Sequence, residues 1–105
     1  MLVQINTDGN VGGDSALAER LEGVIQDDLE RFSARLTRVE VHVGDVNSDK
    51  KTGTDDKRCM LEARLAGLRP IAVSHQAATV DLAVTGAVDQ MKRLLDSTLG
   101  KLEDR

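Results

Sequence analysis

Between Asp56 and Gln76 the chain alternates, turns, and alternates again. Cys59, Leu61, Ala63 and Leu65 share one parity, and Arg58, Met60, Glu62 and Arg64 share the other. Strand side chains point to alternate faces, so this is a half-buried strand with a charged outer surface. Ala66-Gly67-Leu68-Arg69 predicts a turn, and Pro70 suits the opening of the next strand, where a ladder donor is not required. Ile71 and Val73 then resume the apolar face. Arg38 to Val46 alternates in the same way, with Val39, Val41 and Val43 inward and Glu40, His42 and Gly44 outward. Leu2 to Asn6 is a short strand with Val3 and Ile5 on one face.

Elsewhere the period lengthens to that of a helix. Leu17, Leu21, Val24, Ile25, Leu29, Phe32 and Leu36 predict one amphipathic helix from about Ser15 to Leu36, with Asp14 or Ser15 as its N-cap. Val80, Val84, Ala87, Val88, Met91, Leu94, Leu95, Thr98, Leu99 and Leu102 predict a second, from about Ala77 and about six turns long. Thr7 to Asp14 and Asn47 to Asp56 are polar, Gly-containing loops. The order is therefore βαβββα in one domain over residues 1–105, without repeats or a shift in composition.

A helix between the first two strands favours a parallel pair with a right-handed crossover, and the loop-joined strands should pair antiparallel. Two helices with one apolar stripe each can cover one face of a four-stranded sheet. The expected fold class is α+β: a two-layer sandwich with both helices on one sheet face and the other face open to solvent. Gly23 and Gly86 lie inside the helices, where Gly costs about 1 kcal/mol against Ala. Close approach of the two helices would account for both; tolerated drift is the alternative.

Composition narrows the chemistry. Phe32 is the sole aromatic residue, so the core is aliphatic and the usual stacking platform for single-stranded nucleic acid is missing. The formal net charge of −4 argues against a sequence-blind grip on phosphate through bulk charge, while leaving room for a local basic patch. Cys59 is the only cysteine, which rules out an internal disulfide, and its inward parity reads as a small core residue. The first residues, MLVQINTDGN, lack the basic and apolar regions of a secretory signal, and no window approaches the roughly 20 apolar residues of a membrane span. The expected location is the cytoplasm.

Candidate sites for catalysis or metal are poor. Asp45, Asn47 and Asp49 match the first ligand positions of a calcium loop and Asp56 the twelfth. Lys50, however, stands at the Gly position, Asp replaces the bidentate Glu, and strands flank the loop. A solvated acidic hairpin loop is the reading. His42 and His75 are the only histidines and have no third ligand at motif spacing, so both read as surface residues. Gly9 to Gly13 lacks both the dinucleotide-binding spacing and a P-loop Lys, and the serines sit in no nucleophile setting. No enzyme, cofactor, metal or small-molecule substrate is expected.

Three clusters of cations remain. Lys57, Arg58 and Arg64 lie on the outer face or end of the central hairpin. Arg31, Arg35 and Arg38 run from the end of the first helix into the next strand. Lys92, Arg93 and Lys101 lie on the last helix, diluted by Asp89, Asp96, Glu103 and Asp104. Composition alone weighs toward solvated surface over an RNA footprint.

The words VEVHVGDVN (Val39 to Asn47), DDKRCMLEARLAGLRPIAVSHQA (Asp55 to Ala77) and AVDQMKRLLDSTLGKLEDR (Ala87 to Arg105) change that weighing. With the order of elements, they resemble the ribosome hibernation-promoting factor / ribosome-associated inhibitor family, the ribosomal subunit interface proteins, over nearly the whole chain. The resemblance implies a βαβββα domain similar to double-stranded-RNA-binding domains. It implies a non-catalytic stress factor that binds the small ribosomal subunit in the channel of messenger and transfer RNA and blocks translation. The nine cations of the three clusters would then meet ribosomal RNA phosphates, recognised by shape more than by base identity. The chain departs from better-known members in two places. Thr79 to Thr85, TVDLAVT, opens the last helix without an aromatic, and Gln90, Asp96 and Ser97 stand where bases are common, although Arg93 matches a basic position. Ending at Arg105, the chain reads as a short member without the C-terminal domain by which long members dimerise ribosomes. The rival expectation is an interaction module of the same fold. Its open sheet face (Glu40, His42, Arg58, Glu62, Arg64) or an exposed strand edge would bind a protein, weak self-association included.

Overall fold

Parity decides which side of the sheet each strand residue takes, and the core follows from it. The structure, a computed structural model, describes residues 1–8, 15–45 and 57–103, with Glu103 as backbone only. The elements are β1 (Leu2–Thr7), α1 (Ser15–Asp28), a 3-10 turn (Glu30–Phe32), β2 (Leu36–Asp45), β3 (Lys57–Leu65), β4 (Ile71–Ala77) and α2 (Val80–Glu103). The sheet order is β1-β2-β3-β4, with β1 parallel to β2 and the other neighbours antiparallel. Val39, Val41, Val43, Cys59, Leu61, Ala63 and Leu65 are buried on one face of the sheet. Over them lie Leu21 and Ile25 of α1 and Ala83, Val84, Ala87, Val88, Met91 and Leu95 of α2. Helix α1 packs against β1, and α2 against β3 and β4. This is the expected two-layer α+β sandwich with the opposite sheet face uncovered. Burial pushes the Cys59 thiol up to about 12, so it is a neutral core group.

The first helix is shorter than its apolar spacing predicts. It stops at Asp28, where Asp27 and Asp28 place carboxylates at the negative end of the helix dipole. The backbone then tightens: Phe32 donates to the Leu29 carbonyl (3.0 Å), Ser33 to Glu30 (2.9 Å) and Arg35 to Phe32 (2.9 Å). Leu29 and Phe32 stay buried because a spacing of three keeps them on one side of a 3-10 turn as well as of an α-helix. Leu36 belongs to β2, opposite Leu65. Arg38 already faces Arg64, so Thr37 is an extra residue on β2, a β-bulge. The bulge lets Leu36 and the odd-numbered valines share the inner face. Its Oγ1 donates to the Arg64 carbonyl at 3.1 Å. Gly67, with φ at 78°, supplies the left-handed residue of the β3–β4 turn.

Gly23 and Gly86 do not mark a helix–helix contact. Nothing lies within 4 Å of a Cβ built at Gly23. At Gly86 a Cβ would clash with the His75 ring, which packs against that glycine and shares a 3.1 Å hydrogen bond with Gln90 through Nδ1. His75 is thus a half-buried packing residue under α2 rather than a surface histidine. Gly86→Ala gains about 1 kcal/mol of helix propensity but displaces the ring, with an overpacking cost of about 1–3 kcal/mol and a lost hydrogen bond of about 1 kcal/mol. We expect Gly86→Ala to destabilise the protein in the presence of His75 and to stabilise it by about 1 kcal/mol in a His75→Ala background. Urea denaturation of the four variants checks this; the same sign in both backgrounds would refute the contact.

Candidate nucleic-acid interface

The expected cations divide between the two sides of the sandwich, and their pairing differs. On the open sheet face, parity and register bring Arg38 beside Arg64, Glu40 beside Glu62, and Gly44 beside Arg58. Arg38 Nε lies 3.4 Å from Glu40 Oε2, and Arg38 also donates to the Gln4 side-chain oxygen. Arg64 lies 3.9 Å from Glu40 and 3.3 Å from Glu62. Arg58 Nε donates to Ser74 Oγ at 3.0 Å. Around Glu40 and Glu62 this face is a ladder of compensated charge, while Arg58 meets a hydroxyl and forms no ion pair among the described residues.

Lys57 does not share the face of Arg58. Its parity is inward, at the end of the sheet, where it lies 3.5 Å from Asp45. The open face also carries a hollow of about 410 Å³ lined by Asn6, Asp8, His42, Gly44, Arg58 and Met60 among others. Asp8 folds over Gly44 and accepts from the Asp45 backbone N–H at 3.1 Å. Carboxylates therefore border this hollow, a poor setting for a phosphate. The calcium-like run from Asn47 to Asp56 and the Gly-rich segment 9–13 lie outside the described residues. Among the described residues no three His, Cys, Asp or Glu side chains gather as a metal site, and no helix is long and apolar enough to cross a membrane.

The helical side is different. Arg35 follows the 3-10 turn, and Lys92, Arg93 and Lys101 lie on α2; none of them forms an ion pair among the described residues. Arg93, Ser97 and Lys101 follow at four-residue spacing and form one row along the helix. Lys92, Asp96 and Gly100 form the neighbouring row. Arg31 reaches that second row: its Nη1 and Nη2 donate to Asp96 Oδ1 and Oδ2 at 2.7 and 2.9 Å. The Arg31 guanidinium also sits 4.0 Å from the centroid of the Phe32 ring, which is itself buried. These hydrogen bonds hold the Asp96 carboxyl below the usual carboxylate range, opposed by desolvation and reinforced by the charge of Arg31 and Lys92. Arg31, Arg35, Phe32, Asp96, Leu99 and Gly100 line a second hollow, of about 280 Å³.

The three sequence clusters are therefore regrouped. Arg31 and Arg35 come together at the hollow beside Asp96 on the helical side, with Lys92 one helical turn from that carboxylate, whereas Arg38 joins Arg58 and Arg64 on the open sheet face. Sequence reasoning missed the partners that bridge the helices, Asp96 for Arg31 and Asp81 for Arg20, the latter at 2.5 Å. No local signal marks pairs 61 and 65 residues apart. Together the two pairs show that α1 and α2 run side by side in the same direction.

No protein-family model matches the chain, and no curated protein matches it. Solved structures do. The N-terminal domain of Protein Y from Thermus thermophilus superposes with a TM-score of 0.70 at 17% identity, over 93% of this chain and 99% of that one. A ribosomal subunit interface protein from Coxiella burnetii superposes with a TM-score of 0.66 at 17% identity, over the full length of both chains. At this identity the likeness establishes a shared fold.

Proposed function

We propose that this chain is a non-catalytic, ribosome-associated factor of the hibernation-promoting factor / ribosome-associated inhibitor family. It binds the small ribosomal subunit through ribosomal RNA in the cytoplasm and holds it out of translation. The observation that carries the reading is the end-to-end likeness to a ribosomal subunit interface protein, covering 100% of both chains. The distribution of charge supports it. Arg35, Lys92, Arg93 and Lys101 form no ion pair among the described residues and place positive charge on rigid elements of one side, despite the net charge of −4. Such side chains suit phosphate contacts that recognise RNA by shape.

The test is sedimentation of the purified protein with small ribosomal subunits across a salt series. Binding should be firm at low salt and fall linearly on a log–log plot, with a slope set by the number of phosphates neutralised. No co-sedimentation at low salt would refute the reading. The rival is a protein-binding module, favoured by the compensated ladder Arg38–Glu40–Arg64–Glu62 on the open sheet face. Under that rival, association would pass through the sheet face and would survive salt.

A further inference from the structure

Asp96 stands where the Arg31 fork would hold an anion. We propose that Arg31 and Arg35 form a phosphate subsite that the chain's own Asp96 occupies in the free protein, and that an RNA backbone phosphate displaces this carboxylate on binding. The inference rests on the ribosome reading for the identity of the phosphate, and on the geometry of the second hollow for the subsite itself.

A guanidinium presents paired N–H donors in a fixed fork, and a carboxylate and a phosphate offer it the same edge of two oxygens. Arg31 holds Asp96 through both donors, at 2.7 and 2.9 Å. Phe32, 4% exposed, fixes the guanidinium from beneath, so the fork keeps its aim when its partner changes. The pair is open to solvent, with Arg31 and Asp96 side chains 57% and 54% exposed, so it is weakly held and accessible for exchange. There is also room for the incoming group. The hollow of about 280 Å³ borders both partners, and a Cβ built at Gly100, on its wall, meets nothing within 4 Å. Arg31 and Arg35 both line the hollow, so the anion would meet two cations there, and Lys92, outside the hollow, adds its charge at the Asp96 position from one helical turn away. Asp96 thereby acts as an internal competitor that weakens the phosphate grip without removing it.

Two titrations on the full chain test this, each comparing wild type with Asp96→Asn, which keeps the shape of the side chain. In the first, inorganic phosphate is added while the Arg31 side-chain Nε–H resonance is followed by NMR. The resonance should move at about three- to tenfold lower phosphate in Asp96→Asn than in wild type. Adding Arg35→Ala to Asp96→Asn should reverse that gain. Equal phosphate response in wild type and Asp96→Asn overturns the subsite, whatever ribosomes do. In the second, small ribosomal subunits replace phosphate. Asp96→Asn should bind about three- to tenfold tighter at low salt, with a salt slope steeper by about one. An Arg31 phosphate response without any ribosome binding overturns RNA as the displacing ligand and the ribosome reading with it. Tighter phosphate binding with unchanged affinity for the subunit overturns the displacement alone.

Discussion

Leu61→Ala will lower the free energy of unfolding by about 2–5 kcal/mol, a large share of the roughly 5–15 kcal/mol that a small domain has in total. Leu61 is 0% exposed on β3, flanked by Val41 on β2 and Val73 on β4, with α2 lying over β3. The cost comes from the lost burial plus the cavity left behind, and the surroundings are ill suited to closing it. The neighbours on either side are β-branched valines with little rotamer freedom, on a sheet that is hydrogen-bonded on both sides of β3. The core has a single aromatic ring, Phe32, to shift as a block. Leu2→Ala is the control. Leu2 is 59% exposed on the open face, and its truncation should cost no more than about 0.5 kcal/mol. Urea denaturation midpoints decide the matter: a loss below 1 kcal/mol at Leu61 would mean that the sheet and α2 are less closely packed than described.

Reversing charge on the helical side should be as damaging to ribosome binding as Leu61→Ala is to folding. Arg35→Glu with Lys92→Glu will weaken small-subunit affinity by about 100-fold or more, since charged hydrogen bonds are worth about 1.5–3 kcal/mol each and the new carboxylates repel phosphate. Arg58→Glu with Arg64→Glu makes the same formal change on the open sheet face. There it should alter affinity by no more than about threefold, because the carboxylates of Glu40 and Glu62 beside Arg64, and of Asp8 and Asp45 around the hollow that Arg58 lines, already disfavour a phosphate on that face. Parallel binding curves for the two double variants, with circular dichroism to check folding, separate the faces. If the sheet-face pair proves the more harmful, RNA binding through the helical side is wrong and the protein-module reading gains.

How much of this was legible in the sequence depends on the range of the interaction. The inward set Cys59, Leu61, Ala63 and Leu65 is a matter of parity alone and is visible in the string. The length of α2 follows from a long 3.6 period, although the helix starts at Val80, three residues after the expected Ala77, which closes β4. The end of α1 was not legible, because Leu29 and Phe32 satisfy α and 3-10 spacing equally and Leu36 falls on the next term by coincidence with a strand start. His75 read as surface because its neighbour Gly86 stands on another element. The candidate site was half legible in the same sense. The basic residues can be counted, but whether each is compensated depends on partners such as Asp96 and Glu40, brought near only by the fold. The regrouping of Arg38 away from Arg31 and Arg35 has the same origin: three residues that lie close in sequence straddle the passage from the helical layer into the sheet.

The extra residue at Thr37 bears on how this chain could change length. Removing one residue from Val39 to Val43 would turn part of β2 over, sending valines to solvent or polar side chains toward the helices. Removing Thr37 itself would leave Leu36, Arg38 and Val39 in simple alternation, facing in, out and in, with Leu36 still opposite Leu65 and Arg38 opposite Arg64. The strand thus has one place where a deletion conserves every inward and outward assignment. A family of such domains can drift in length at that joint while the sheet below it stays in frame.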